Sequence, residues 1–568
     1  MKRTVADDMA AMLAAAGVAR VYGASGCGTG QLPGRHALRC IETPQGRIAA
    51  FAAVGEAQLT GRPAVCCGDG AGSHLQMAEA LYEATRGRVP VVAIAPQVAT
   101  DAVGSGDFRE SRPEVWLRDC SGYCEMALSA GSVGRGVAAA LRHARAHGTP
   151  GVVVLPADVA CAEAEPRAQH PPMPGWVQPA VLEPAMDAVA RLAELLNHSR
   201  KVVFLCGGGC AGAHDELVEL ARRLGAPIAY TLGGKEVMEK ENPCAVGMVG
   251  LLGWGDAPAV VQMADLLVIW GADVPCGCRL PVHGNVVQVD ADAAVPGRRV
   301  NLCHAVHGDV RRTAALLLPL LRGNGSEEFL AQSLMRHGKA VAQMEAAVRE
   351  VNECAPIRPE YVTRLISCLA EPDAVFAVDV GPPLIWAVRY VQALGHRRFI
   401  GSFHYGAADC ALAMALGAKA ANPSRQVIAL CRAGSLQQLP DECRMLVKYG
   451  LSVKVFVYND SEPESECLQG VSEVLPPVDY AALAEGAGMK AVRLSCTADA
   501  PVAVRAWLAE RGPALLDARL DAHALAAPPD SAMLRMLQHF NAQPGAAMRA
   551  VPPEMRRLLF GNRCFYTP

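Results

Sequence analysis

Two glycine-rich turns are the first places in this chain where residue type and spacing could do chemistry. The clearer one is Gly207-Gly208-Gly209-Cys210-Ala211-Gly212-Ala213-His214. It follows an apolar run at 201–205 and precedes a helical pattern at 214–224. Between a strand and a helix, glycines let backbone N–H groups approach a dinucleotide, and the helix N-terminus favours its phosphates. The other turn, Gly68 to Gly72, joins a strand-like run at 63–67 to a helical pattern at 74–85. The 21 cysteines carry less chemistry. Cys66-Cys67 and Cys276-Gly277-Cys278 are the tightest groups, and neither has a second Cys/His pair at zinc-site spacing. Scattered cysteines in a long chain read as small buried side chains in a reducing, cytoplasmic setting.

Both turns need strands and helices to position them. The spacing predicts further strands at 89–94, 152–155, 266–270, 286–289, 374–378, 426–430, 453–458 and 515–518. Short apolar runs alternating with helical patterns are the mark of stacked βαβ units. Three such units follow one another, and 568 residues at about 150 per domain agree with three or four domains. The boundaries fall at 1–180, 181–335 and 336–530, with a Pro-punctuated tail at 531–568. Residues 162–179 read as a linker and 322–328 as a polar boundary. A 51% hydrophobic, 19% charged chain is excluded from disorder, and a net charge of −3 argues against a nucleic-acid binder. No apolar run reaches the roughly 18 residues of a membrane span. The basic, h-region-free start carries no signal-peptide pattern.

The stretch AVGEAQLTGRPAVCCGDGAGSHLQMAEALYEATRGRVPVVAIAPQ at 53–97 resembles the pyrimidine-binding domain of thiamine diphosphate enzymes of the acetolactate synthase and pyruvate oxidase type. The likeness continues through GSGDFRESRPEVWLRDCSGYCE, GGGCAGAHDELVELARRLGAPI, NPCAVGMVGLLG and DVGPPLIWAVRYVQALGHRRFIGSF, to about residue 520. It is nearest to the bacterial pyruvate oxidases. The resemblance implies an α/β fold of three doubly wound parallel-sheet domains: pyrimidine-type, central FAD-type and diphosphate-type. It also implies a homodimer or homotetramer, because the family's thiamine sites lie between subunits.

Residue by residue, the resemblance implies a thiamine site that has been dismantled. The family places a Glu beside the aminopyrimidine, where it supports the imino tautomer that generates the ylid. Ungapped counting puts Gly46 there, next to Arg47, and losing a general acid–base group costs about 10²- to 10⁴-fold. Some relatives manage without that Glu. The family's Gly-Asp-Gly turn and following Asn carry Mg²⁺, which needs oxygen ligands. Here the Asp position is Ala433, the first Gly is Arg432 and the Asn position is Asp460. The Pro-Gly-Asn segment reads Gly72-Ser73-His74, and the Met that props the bent cofactor reads Ala408. The loop at 462–469 looks shorter and more acidic than in the relative. Thiamine diphosphate and Mg²⁺ are therefore not expected. The counter-reading is that Arg432 and Asp460 rebuild a different anchor, since a guanidinium can grip phosphate.

The flavin-type domain tells the opposite story. By resemblance, Gly207, Gly209, Cys210, His214, Gly233, Lys235, Gly250, Leu251, Asp290 and Asp292 line an extended FAD, with Asp290 or Asp292 suited to a ribose or adenine contact. Gly233 stands where the family has Arg, and Cys303 where it has Asp. The alternative is a domain that kept packing glycines after losing the flavin. Phe108 and Arg109 fall in a loop that borders the relative's reaction cavity. Arg109 suits a carboxylate substrate and reads equally well as a solvated loop residue. His74, His404 and Tyr405 are further candidates to face the vacated pocket. The tail, a lipid-activated segment in the relative, keeps apolar spacing at Met533, Leu534, Leu537 and Phe540. It reads as docking onto its own protein or as peripheral membrane contact. The leading expectation is an FAD oxidoreductase acting on a small substrate without thiamine diphosphate. The rivals are a thiamine- and Mg²⁺-dependent 2-oxo acid oxidase or decarboxylase with altered anchors, and a non-catalytic pseudoenzyme subunit.

Overall fold

Runs such as Val202-Val203-Phe204-Leu205-Cys206 are fully buried along their whole length. A strand buried on both faces belongs in a parallel sheet covered by helices on either side. The computed structural model contains three such sheets. It describes residues 3–24, 38–164, 180–281, 284–322, 326–349, 357–436, 439–459 and 478–520. Most of the expected linker, Asp460, the loop at 462–469 and the tail at 531–568 lie outside the described residues.

The first sheet contains β1 (Arg20–Ala24), β2 (Arg39–Thr43), β3 (Ala64–Cys67), β4 (Val91–Gln97), β5 (Tyr123–Met126) and β6 (Gly151–Pro156), in the order β2-β1-β3-β4-β6-β5. The second contains β7 (Val202–Cys206), β8 (Ile228–Tyr230), β9 (Ala245–Met248), β10 (Trp254–Gly255), β11 (Leu266–Trp270), β12 (Asn285–Asp290) and β13 (His304–His307). Its order is β10-β9-β8-β7-β11-β12-β13, and only β10 runs antiparallel to its neighbour. The third contains β14 (Val375–Val378), β15 (Arg398–Ile400), β16 (Val427–Arg432), β17 (Val453–Asn459), β18 (Lys490–Leu494) and β19 (Ala514–Arg519), in the order β15-β14-β16-β17-β19-β18. The first and third sheets thus share one strand order, and the second has the reversal after its first strand that marks dinucleotide-binding sheets.

Helix Gly46–Thr60 of the first domain packs on helix Ala411–Ala421 of the third through glycines. A side-chain carbon at Gly417 would meet the Ala52 carbonyl oxygen at 1.8 Å, and one at Gly55 would meet the Met414 carbonyl oxygen at 2.3 Å. Helix Glu327–Arg349 runs unbroken through the boundary expected at 335/336. It buries Phe329 in the core of the central domain. Arg336 holds Asp256 there through two hydrogen bonds of 2.7 and 2.9 Å, while Glu345 reaches Arg364 at 2.9 Å on the third domain. Of the polar residues read as a boundary, Glu327 and Glu328 are exposed in the first turn of this strut. Helix Ala71–Gly87 likewise begins three residues before its expected start. Gly70, at φ +137, makes the turn into it, which places Ser73 and His74 in the first helical turns. Among the described residues no helix is long and apolar enough to cross a membrane.

The glycine joint is testable. Gly417→Val should destabilise the protein by about 1–3 kcal/mol, the usual cost of overpacking. Gly338→Ala on the strut, where the added carbon meets nothing within 4 Å, should stabilise it by about 0.5–1 kcal/mol. Denaturant midpoints of the two variants should move in opposite directions.

Candidate functional site

The glycine joint brings the start of helix Gly46–Thr60 close to the loop before helix Ala411–Ala421. Gly46 opens its helix, and its N–H donates to Gln76 Oε1 at 3.2 Å. No room remains for a side chain on it. The first carbon of one would lie 2.2 Å from Ser73 Oγ and 2.6 Å from the Ser73 carbonyl oxygen. Arg47 turns away from this point. It pairs with Glu79 at 3.1 Å, donates to the carbonyls of Asp409 at 2.6 Å and Ala408, and lies 5.0 Å from the Phe51 ring centre. The guanidinium therefore ties the first domain to the loop that carries Ala408. His74 is fully buried, with Nδ1 3.3 Å from Ser111 Oγ. Its Nε2 and the Ser73 hydroxyl are buried without hydrogen-bond partners. Burial lowers the His74 pKa to about 4, so the ring is neutral at ordinary pH.

His404 and Tyr405 belong to a second joint between the same domains. Glu83, fully buried, accepts from Ser402 Oγ at 2.9 Å, from the N–H of His404 at 3.1 Å and from that of Tyr405 at 2.7 Å. Its other oxygen lies 3.1 Å from His404 Nδ1. Tyr405 stacks on Tyr82 at 5.3 Å, with Arg86 over its ring. Sequence reasoning singled out the His and the Tyr and missed the carboxylate that organises them.

On the diphosphate-type side, Asp379 follows β14 and is buried. Its carboxylate accepts the N–H groups of Cys410 (3.0 Å), Ala411 (2.9 Å) and Arg432 (3.2 Å). Burial outweighs these bonds and raises its pKa to about 6. Glu442, also buried, is pushed up to about 8 by desolvation, against the opposing pull of Arg47. Ala433 is buried, and its carbonyl accepts from Tyr480 Oη at 2.5 Å. At the end of β17, the Asn459 amide donates to Asp517 at 2.8 Å and to the Val478 carbonyl at 3.1 Å. The residues described at positions 46 and 433 thus offer a hydrogen atom and a methyl group, neither of which ligates Mg²⁺ or moves a proton.

In the central domain the turn after β7 lies where the strand order reverses. Several of its glycines are explained by backbone packing. A side-chain carbon at Gly207 would strike the Ala272 side chain at 2.4 Å, and one at Gly209 would strike Gly271 at 2.8 Å. Gly208 and Gly212 have room, and Gly233 lies beside Gly208. Cys210 is buried, its thiol 3.2 Å from the Trp270 carbonyl oxygen. Gly250, at φ +96, packs near Pro275 and Cys276, next to buried Leu251. His214 is satisfied by Asp215 at 2.8 Å and the Lys240 carbonyl at 3.1 Å. Lys235 is buried against Glu239 and over the Phe399 ring, and Asp292 pairs with Arg88 of the first domain. Lys235 and Asp292, two of the side chains expected along the flavin, therefore make interdomain contacts. Asp290, at the end of β12, is half-buried, with one oxygen accepting the Asp292 N–H at 2.9 Å. Burial raises its pKa. Phe108 is 86% exposed and Arg109 stacks on it at 5.2 Å, close to Gly70 at the mouth of the first-domain crevice.

Two parallel sheets of one strand order, joined through glycine-packed helices, and a dinucleotide-type sheet define a three-domain α/β enzyme architecture. The chain matches the N-terminal TPP binding domain of thiamine pyrophosphate enzymes over residues 3–114, their central domain over 189–317 and their C-terminal TPP binding domain over 379–518. It belongs to the thiamine pyrophosphate enzyme family. It is 39% identical over 343 residues to an uncharacterized 42.6 kDa protein in the isoamylase 3′ region of Pseudomonas amyloderamosa, covering 59% of this chain and 86% of that one. Chloroplastic acetolactate synthase 2 of Zea mays is 28% identical, over 82% of this chain and 77% of its own. Pyruvate oxidase of Lactiplantibacillus plantarum is 25% identical, over 85% and 82%.

The buried neutral His74 has a pH consequence. Its folded pKa near 4 lies below the unfolded value of about 6.5, so between those values the unfolded chain binds a proton that the native protein does not. Its contribution is complete above about pH 6.5 and is lost as pH falls through about 4, by up to about 3 kcal/mol. His74→Asn should flatten the acid limb of the stability curve in that window, as read by urea denaturation at a series of pH values.

Proposed function

We propose that this chain is a flavin-dependent oxidoreductase on the thiamine pyrophosphate enzyme fold, working without thiamine pyrophosphate or Mg²⁺. The observation that carries the reading is the lack of room at Gly46. A side chain there, where a proton-relaying carboxylate is expected from the resemblance, would begin 2.2 Å from Ser73 Oγ and 2.6 Å from the Ser73 carbonyl oxygen. The methyl group of Ala433 on the opposite side supplies no oxygen to a hard cation. These residues do not fit the thiamine coenzyme, and no step is assigned to it.

The central domain fits a flavin better. The open faces of Gly208 and Gly212 allow backbone approach, and the half-buried Asp290 carboxylate suits a ribose or adenine contact. Held by these residues, an FAD would supply two-electron, one-proton acceptance from a small substrate, with a quinone or O₂ as the final acceptor. The exposed Phe108–Arg109 pair is the proposed substrate contact, the guanidinium suiting a carboxylate. A second copy of the chain completes the assembly, as a homodimer or homotetramer. The match of both terminal domains to TPP binding domains favours a second reading, thiamine- and Mg²⁺-dependent conversion of a 2-oxo acid.

Purified full-length protein separates the two. The expected result is a yellow protein whose flavin absorbance responds to pyruvate identically with and without added thiamine pyrophosphate and Mg²⁺. Bleaching by pyruvate only when both are added establishes the second reading. A colourless protein, inert towards 2-oxo acids, overturns both and leaves the pseudoenzyme.

A further inference from the structure

Arg432 closes β16 at the place where the third sheet reverses its strand order, with β14 bonded to β15 on one side and to β16 on the other. Ligands of doubly wound sheets lie outside the carboxyl ends of the strands at such a reversal. The guanidinium there has no ion-pair or hydrogen-bond partner among the described residues, although its own backbone N–H is fixed by Asp379 at 3.2 Å. It lies over two glycines. Arg432 Cδ is 3.9 Å from where a Gly381 side chain would begin, and Nε and Nη2 are each 3.9 Å from the same point at Gly434. Gly381, at φ +114, turns the chain into the nine-residue helix Pro382–Tyr390, whose positive end faces the same crevice.

The neighbouring charges are already engaged. The Asp379 carboxylate accepts three backbone N–H groups. Arg47 is held by Glu79 and by two carbonyls. Tyr480 pins the turn through the Ala433 carbonyl, so Arg432 projects from a fixed backbone. A partnerless guanidinium over small residues at a sheet's ligand crevice has the chemistry of an oxyanion site, and its planar fork grips phosphoryl oxygens in pairs.

We propose that Arg432 binds a phosphoryl anion directly, with no divalent cation between them. This rests on the preceding reading only in that Mg²⁺ is not the mediator. The class of ligand is a small phosphate or diphosphate, free or carried by an organic molecule.

Calorimetric titration of inorganic pyrophosphate into the full chain in EDTA tests it. Saturable binding is expected, weakened about ten- to a hundredfold in Arg432→Ala and less in Arg432→Lys, the range for losing hydrogen bonds to a charged group. The exposed control Arg511→Ala should bind as the parent does, and circular dichroism should show all variants folded. No binding in EDTA, equal affinity in Arg432→Ala, or an equal loss in Arg511→Ala overturns the proposal. Thiamine pyrophosphate is the second probe. If it binds in EDTA more tightly than pyrophosphate and through Arg432, the site stands and the thiamine-free reading falls. If both probes bind only with Mg²⁺, both fall.

Discussion

The close approach of helices Gly46–Thr60 and Ala411–Ala421 is the constraint on which the rest depends. Two helices can touch backbone to backbone only where side chains are absent, and Gly55 and Gly417 supply that absence from opposite sides. The contact sets the distance between the first and third sheets. It therefore determines which side chains share the space between their carboxyl ends. Arg47 and Glu83 then lock the arrangement, one by gripping two carbonyls across the joint and the other by gathering the N–H groups of His404 and Tyr405. Glu83 is fully buried and Arg47 half-buried, and each spends its hydrogen-bonding capacity on partners, the condition under which such groups are tolerated in an interior.

Within that frame the electrostatics are uneven. Asp379 and Glu442 have pKa values of about 6 and 8, both raised by desolvation. At neutral pH Glu442 holds its proton, whereas Asp379 is mostly ionised and its charge is met by three backbone N–H groups. The Arg432 guanidinium, on the same side, has no hydrogen-bond or ion-pair partner among the described residues. On the pyrimidine-type side Ser73 fills the space over Gly46, the next residue, His74, is buried and uncharged, and Arg47 is paired with Glu79. The two sides of the crevice thus differ in polarity even though the sheets behind them have the same strand order.

Long apolar strands were legible in the sequence because burial on both faces removes polar residues from the whole run, as in β7, β11 and β14. Helix His214–Leu224 was legible at both ends because its buried positions recur with helical period and Gly225 ends it. Strands β1, β2, β5 and β18 were not, since each carries charged or polar residues along a short or edge position. Gly46, Ser73, Arg432 and Ala433 stood out against the family pattern, but the packing of Ser73 over Gly46 depends on two helices whose separation no local pattern encodes. Asp379 had a visible signal, an acid ending an otherwise apolar strand. Glu83 and Glu442 had none, because an acid on an amphipathic helix reads as solvent-facing until its neighbours are known.

Helix Glu327–Arg349, at 1.5 Å per residue, is a rod about 34 Å long fixed at two points along its length. Phe329 and Arg336 seat it on the central domain, and Glu345 seats it on the third. A rod fastened in this way transmits torque instead of absorbing it. Any swing of the dinucleotide-type domain must carry the neighbouring helix Pro359–Leu369 along or first break the Glu345–Arg364 ion pair.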